Sequence, residues 1–453
     1  MERANQKHIL VLITNPFAII NVIHSGLMGE LGKYYRISIM SDLLTAADIE
    51  HFNGHFRLNM HWLEMPAPVV SRFLKWLRAA QTLLFGHYFD VETIRIKLME
   101  RNSFYYRLFC ISRNSLRITY LSGSLMVFIR NWLIRRTTRP ELYASLAEYN
   151  FQTVISTSPL DLRENAVANS LKPYGIPCIS IIISWDNLTS KGIINSKSDM
   201  VLVWNKSMAL EYQQFYTIFG EKALVRLAGI PRFDGYFRDP PDQHLNLTNV
   251  LGINPEASVI LFSTGAIKHH SCQNYIIRDL LEYAERRPDT VILVRCHPGD
   301  DSKRYDCFSG IKNLLFFQPF GENTSHIPPV DFLQMLHLQL TGCQVCLQAA
   351  STMLLDAAAC AKPCISIAYD ARSEVHYAGS VRRFYDYSHQ KPLQNLIKEH
   401  IVYDRRELFE KLDKTLAGAN AQTGLMTALK PMIHPCAPGS VRLTTQFIRE
   451  WLG

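Results

Sequence analysis

The chain has 453 residues, 47% hydrophobic and 19% charged, with a net charge of +8. That composition excludes a disordered or low-complexity protein, and the length exceeds one ordinary domain; two domains of roughly 200 residues fit better. No apolar stretch reaches the ~20 residues needed to cross a bilayer; the nearest, Leu121 to Ile134, carries Arg130 inside it.

The first half alternates strands and helices. His8 to Thr14 reads as a strand that passes through Asn15-Pro16-Phe17 into an apolar helix ending near Gly32. Strands follow at Arg36–Met40 and near Leu58–Leu63. Residues 66–150 then form a basic helical insertion of three or four helices. Between Pro66 and Pro140 stand thirteen Arg and Lys against only Asp90, Glu92 and Glu100. That excess of ten is larger than the charge of the whole chain, so the rest is slightly acidic. A basic face of this kind suits an anionic surface. From Arg117 to Arg136, Leu121, Leu125, Phe128 and Trp132 recur near helical spacing. Such a helix fits a core or the plane of a membrane surface. The sheet resumes at Thr153–Thr157, Pro177–Ile183 and Met200–Trp204, and Val225–Gly229 closes the half.

Phe237-Arg-Asp-Pro-Pro-Asp-Gln243 reads as a linker. The second half runs strand Val259–Ser263, helix Asn274–Arg286, strand Thr290–Arg295, strand Leu314–Phe317, helix Val330–Gln339, strand Gln344–Leu347, helix Ser351–Cys360 and strand Cys364–Ala368. Helices near Leu393–His400 and Arg405–Leu416 and a last helix from Gly439 to Leu452 complete it. Strands alternating with helices of this length predict parallel sheets with right-handed crossovers. The expected fold class is α/β, with two Rossmann-like domains facing across a cleft. The expected divisions are 1–236, 245–436, and a terminal helix 437–453 returning to the first domain.

The start of the chain is polar and shows no signal peptide. A cytoplasmic protein is the expectation, with Asn187, Asn246 and Asn323 unglycosylated despite their Asn-x-Ser/Thr triplets and the ten cysteines as thiols. Cys343, Cys346, Cys360 and Cys364 superficially resemble a zinc set. Their places on strand and helix ends read better as small buried thiols, and no metal is expected.

Three segments carry the chemistry, each at the carboxyl end of a strand, where ligands of open α/β sheets sit. In Ser184-Trp-Asp-Asn-Leu-Thr-Ser-Lys-Gly192, Trp185 offers a flat face for a sugar, Asp186 a general base, and Asn187 and Lys191 polar contacts to an acceptor. Ser263, Thr264 and Gly265 combine hydroxyls with close backbone approach, which suits phosphate. Arg295 and His297, the latter held extended by Pro298, join the Ser351/Thr352 helix start as a phosphate clamp. Asp356 lies one and a half turns into that helix, within reach of ribose hydroxyls or of neighbouring caps.

These segments resemble the GT-B glycosyltransferase superfamily, in particular the bacterial branch of CDP-glycerol glycerophosphotransferase-like enzymes and CMP-sugar transferases. The likeness lies in His297-Pro298, Ser351-Thr352 and the segment Arg226-Leu-Ala-Gly-Ile-Pro-Arg-Phe-Asp234. It implies that His297 contacts the donor phosphate or assists the leaving group, and that Ser351 and Thr352 hold that phosphate. Asp356 stands where many such transferases carry Glu, and the acidic acceptor motif of sialyltransferases is absent. With no Asp-x-Asp motif, the leaving group would be met by protein donors alone, and no cofactor is expected beyond the nucleotide-sugar co-substrate. The leading expectation is a glycosyltransferase moving sugar from a nucleotide-sugar donor to a growing bacterial surface glycan or lipid-linked acceptor, peripheral on an anionic membrane surface. The alternatives are polyol-phosphate transfer from a CDP-alcohol, a non-hydrolysing nucleotide-sugar epimerase, and a non-catalytic nucleotide-sugar-binding scaffold. Nucleic acid is not an expected partner.

Overall fold

The computed structural model describes residues 6–67, 71–100, 110, 121–237, 246–267, 270, 272–300, 302–320, 327–372, 375–418, 422–433 and 439–453. The linker read at 237–243 lies almost wholly outside the described residues, as do Arg101, Arg107, Arg113, Arg117 and Asn323.

The chain divides into two compact units, Met1–Asp234 with His434–Gly453, and Gly235–Ile433. Each is a Rossmann-like α/β unit built on a parallel sheet. The first sheet comprises β1 (His8–Ile13), β2 (Arg36–Ser41), β3 (Met60–Glu64), β4 (Phe151–Ser156), β5 (Cys178–Ile181), β6 (Met200–Val203) and β7 (Leu224–Leu227). Their spatial order is β3-β2-β1-β4-β5-β6-β7. The second comprises β8 (Ser258–Ser263), β9 (Thr290–Arg295), β10 (Leu314–Phe317), β11 (Val345–Gln348), β12 (Cys364–Ile367) and β13 (Ile401–Val402). It is ordered β10-β9-β8-β11-β12-β13.

The central strands β1, β4, β8 and β11 are buried along nearly their whole length, and β1 and β8 consist mainly of Val, Ile, Leu and Phe, as parallel strands covered by helices must. Local chemistry sets the helix starts. Thr45 and Asp48 form a capping box at Ala46–Phe56, and Asn205 and Asp404 cap Lys206–Tyr216 and Arg405–Leu416. The single apolar helix expected after β1 is broken instead into a helical turn Pro16–Ala18, a π-helix Ile19–His24, and a helix Leu27–Leu31. The break is Gly26 at φ 85°, a left-handed conformation that glycine takes without steric cost.

Asp234 closes the first unit. It is buried, and its carboxylate accepts the backbone N–H groups of Gly439, Ser440 and Val441. A negative charge on three amides at a helix start is favourable in both hydrogen bonding and dipole. The helix so capped, Ser440–Leu452, packs against Leu27–Leu31.

In the helical insertion, Arg72–Tyr88 and Leu121–Thr137 pack side by side. Arg130 corrects one expectation. It is not part of a basic surface: it is buried, donates to the carbonyls of Ile194 and Ser196 at 2.9 Å, and pairs with Glu221. The four cysteines that mimic a zinc set are ordinary packing residues. Cys346 and Cys364 are register partners on β11 and β12. Among the described residues, no group of His, Cys, Asp and Glu is placed to hold a metal.

Candidate functional site

Both sheets reverse direction of growth between their first and fourth strands, and this reversal opens a crevice at the carboxyl ends. In the second unit that crevice lies between β8 and β11. Ser263, Thr264 and Gly265 leave β8. Thr264 is committed to the protein: its hydroxyl accepts the His297 N–H at 2.8 Å and donates to Asp300 at 3.0 Å. It therefore staples the end of β8 to the turn after β9. Gly265 is gripped by Gln273, which accepts its N–H at 2.5 Å and donates to its carbonyl at 2.9 Å. Among the described residues nothing crowds this glycine: an added Cβ would meet the His270 Cβ at 3.6 Å and Gln273 at 4.0 Å.

His297 is half-buried, and its Nδ1 accepts the Gly299 N–H at 2.9 Å. An accepting Nδ1 places the neutral ring's proton on Nε2, so the ring presents an N–H donor. Arg295 is not a phosphate ligand at the strand end. It is buried, donates to Gln339 at 2.6 Å and sits between the Phe317 and Phe332 rings, 5.2 Å and 5.1 Å from their centroids. Burial lowers its guanidinium to about 10. Asp356 is also turned inward, buried and accepting the Tyr236 hydroxyl at 2.6 Å, rather than reaching for ribose.

On the other wall, Gln348 at the end of β11 accepts the Ser351 N–H at 2.6 Å, and Gln390 donates to the Ala350 carbonyl at 2.9 Å. Between these two anchors Ala350 is forced to φ 46°, a left-handed conformation costing an alanine on the order of 1 kcal/mol. The Ser351 hydroxyl accepts the Met353 N–H at 3.3 Å and so starts the short helix Met353–Ala359. Ser351 and Thr352 are both half-buried.

His270 was not singled out by sequence. It is buried, and its Nε2 has no hydrogen-bond partner among the described residues. Burial lowers it to about 4; Asp370 opposes that shift and Arg383 adds to it.

In the first unit the equivalent crevice, between β1 and β4, holds a carboxyl group. Glu164 is fully buried and accepts from the Thr14 hydroxyl at 2.8 Å, the Ser156 hydroxyl at 2.6 Å and the Ser158 N–H at 2.8 Å. Burial pushes it up to about 7, against the pull of those three donors.

One strand further, the loop after β5 places Asp186 half-buried, with its oxygens taking the hydroxyls of Ser184 and Ser190. Beside it, on the helix Lys206–Tyr216, lies Glu211. Its Oε2 is buried and has no partner among the described residues. Burial raises Glu211 to about 7, and the charge of Asp186 adds to the rise. Asn187 is buried with its Oδ1 likewise unpartnered, and Lys191 is exposed. Trp185 is buried and offers no open face for sugar stacking. Sequence missed Glu164, Glu211 and His270 because each lies in a helix or loop with no motif of its own.

No protein-family model and no curated protein sequence matches the chain. Solved structures do. The UDP-GlcNAc 2-epimerase of Neisseria meningitidis bound to UDP-GlcNAc matches with a TM-score of 0.55 and 10% identity, over 98% of this chain and 100% of that one. The Staphylococcus aureus MnaA–UDP co-structure gives 0.57 and 8%, over 99% and 97%. The UDP-N-acetylglucosamine 2-epimerase of Rickettsia bellii gives 0.52 and 10%, over 99% and 97%. At such identities the likeness establishes the fold alone, two Rossmann-like α/β domains of the GT-B-like kind. It also corrects the expected reaction class: the neighbours are epimerases, not glycosyltransferases. Among the described residues, no helix is long and apolar enough to cross a membrane.

Proposed function

We propose that the chain is a nucleotide-sugar epimerase, inverting a ring carbon of a uridine-diphosphate sugar without net hydrolysis. The observation that carries this reading is the likeness to UDP-GlcNAc 2-epimerases along 98–99% of the chain. The Asp186–Glu211 pair supports it chemically. Inversion at carbon requires a proton to leave one face and another to arrive on the opposite face. Groups that ionise near neutral pH do both, and Glu211 at about 7 is such a group.

A sugar C2–H is not acidified by a neighbouring carbonyl. The electron pair it leaves must therefore form a C1–C2 double bond and expel the diphosphate from C1. Return of the diphosphate to C1, with a proton delivered to the other face of C2, completes the inversion and balances every atom. The negative charge gathered on the departing diphosphate needs preorganised donors. The Nε2–H of His297 and the hydroxyls of Ser263, Ser351 and Thr352 are the donors proposed for it, with Gly265 allowing close approach. Asp186 and Glu211 are the proposed acid/base pair.

The test is proton NMR in D2O with UDP-GlcNAc, alongside thermal shifts with UDP, CMP, GDP and TDP. Exchange of the C2 proton together with appearance of the 2-epimer, and stabilisation by UDP above the others, is the expected result. UDP binding without exchange would move the protein to a non-catalytic nucleotide-sugar-binding role. No UDP binding at all would overturn the proposal.

A further inference from the structure

The helix Leu121–Thr137 is apolar on two opposite sides. Inward it buries Met126, Ile129 and Leu133. Outward, at positions 121, 125, 128 and 132, it carries Leu121, Leu125, Phe128 and Trp132, a single stripe at helical spacing. Leu121 is 55% exposed and Phe128 65% exposed. A helix that buries one apolar face normally turns polar residues to solvent elsewhere, and here a second apolar stripe meets solvent.

The neighbouring helix Arg72–Tyr88 widens that surface. Phe73 is 55% exposed and Trp76 58% exposed. Their rings stack with centroids 6.1 Å apart, and Phe73 meets Trp132 edge-on at 5.6 Å. Phe73, Trp76, Trp132, Phe128 and the two leucines thus form one continuous ridge across two helices. Isolated exposed apolar residues need no explanation, but a contiguous ridge of them does.

The charged side chains of the two helices have one sign. Arg72, Lys75, Arg135 and Arg136 are exposed, and the Arg136 guanidinium lies 5.0 Å over the Trp132 ring. Neither helix contains an Asp or Glu. Arg78 and Arg130 turn inward, to the carbonyls of Leu160 and of Ile194 and Ser196, and take no part.

We infer that this ridge docks the protein on an anionic lipid bilayer. Aromatic rings favour the headgroup level, aliphatic side chains enter just below it, and Lys and Arg each add attraction to negative headgroups. Each helix has 17 residues, too short and too charged to span, so both lie in the plane of the surface. The basic residues of these two helices select lipid over a second copy of the chain, whose identical residues would repel them.

The test is co-sedimentation of the full chain with phosphatidylglycerol-containing vesicles and with neutral phosphatidylcholine vesicles, read with tryptophan fluorescence. The expected result is binding to the anionic vesicles with a blue shift, and little binding to neutral ones. Two variant sets divide the contributions: Phe73→Ser with Trp76→Ser and Phe128→Ser, and Lys75→Gln with Arg135→Gln and Arg136→Gln. All these side chains are exposed, so both variants should fold with the wild-type melting temperature. Each should lower vesicle partitioning by ~10-fold or more, the charge set on anionic vesicles only. Wild-type protein left in the supernatant, or variants that bind like wild type, would overturn the inference. So would a concentration-dependent dimer that the serine variant abolishes, which would give the ridge to a second copy. Retention on RNA in place of vesicles would overturn it too.

Discussion

The two Rossmann-like sheets share a strand order and differ in what occupies the crevice where that order reverses. Between β1 and β4 the first unit holds Glu164, a buried carboxyl at about 7, with Asp186 and Glu211 one strand away. Between β8 and β11 the second unit holds hydroxyls and the imidazole of His297, and its acidic residues are turned into the protein. A crevice lined with ionisable carboxyls repels phosphate and handles protons. One lined with N–H and O–H donors holds an anion. Two sheets of the same strand order thus carry different chemistry at equivalent strand ends, and the side chains there make the difference.

The largest effect that would break this division is on turnover. Glu211→Gln keeps the shape of the side chain and removes its proton chemistry. C2 proton exchange should fall by ~10³-fold, as for loss of a general acid or base. The melting temperature should hold, because the carboxylate's buried Oε2 had no partner to lose. Exchange near the wild-type rate would remove the first unit from the chemistry.

Next in size is a pH response of opposite sign at the two crevices. Glu164 has a folded value of about 7, above its ordinary 4.5. The folded protein keeps a proton that the unfolded chain releases, so its contribution to stability falls as pH rises from 4.5 to 7. His270 has a folded value of about 4, below its ordinary 6.5. The unfolded chain takes a proton that the buried ring refuses, so its contribution falls as pH drops from 6.5 to 4. Each change amounts to about 3 kcal/mol by linkage. Urea titrations of Glu164→Gln and His270→Gln across that range should differ from wild type with slopes of opposite sign. Parallel curves for both would mean that neither group titrates as its burial dictates.

The smallest effect sharpens the phosphate side. Gly265→Ala fits without a clash, since the new Cβ meets its nearest neighbour at 3.6 Å. Stability should be nearly unchanged while UDP affinity drops ~10-fold, about 1.4 kcal/mol. Unchanged affinity would place the diphosphate elsewhere.

Much of the architecture was legible because parallel strands write themselves as apolar runs. His8–Ile13, Thr290–Arg295 and Cys364–Ile367 stand within a residue or so of their sequence reading. The two-residue β13 is too short to carry such a signal, and the π-helix Ile19–His24 is indistinguishable by periodicity from an α-helix. Side-chain direction was the harder part. Arg295 and Asp356 sit at strand and helix ends that face ligands in such folds, yet each is drawn inward by a partner remote in sequence, Gln339 and Tyr236. Arg130 shares its helix with Arg135 and Arg136, but Glu221, 91 residues downstream, turns it to the interior. Spacing along the chain cannot register such partners. Glu164 and Glu211 were hidden for the same reason, as their unusual acidity comes from burial and not from neighbours in sequence.

The Asp234 clasp on the helix Ser440–Leu452 has a consequence for how the molecule comes into being. The second unit is a single uninterrupted stretch, Gly235–Ile433, and its residues are all translated before Ser440 emerges. The first unit begins earlier but lacks its last layer until a segment 206 residues beyond Asp234 arrives. The part translated first is therefore the part finished last, and until then the Asp234 carboxylate waits for the amides that will hydrogen-bond it.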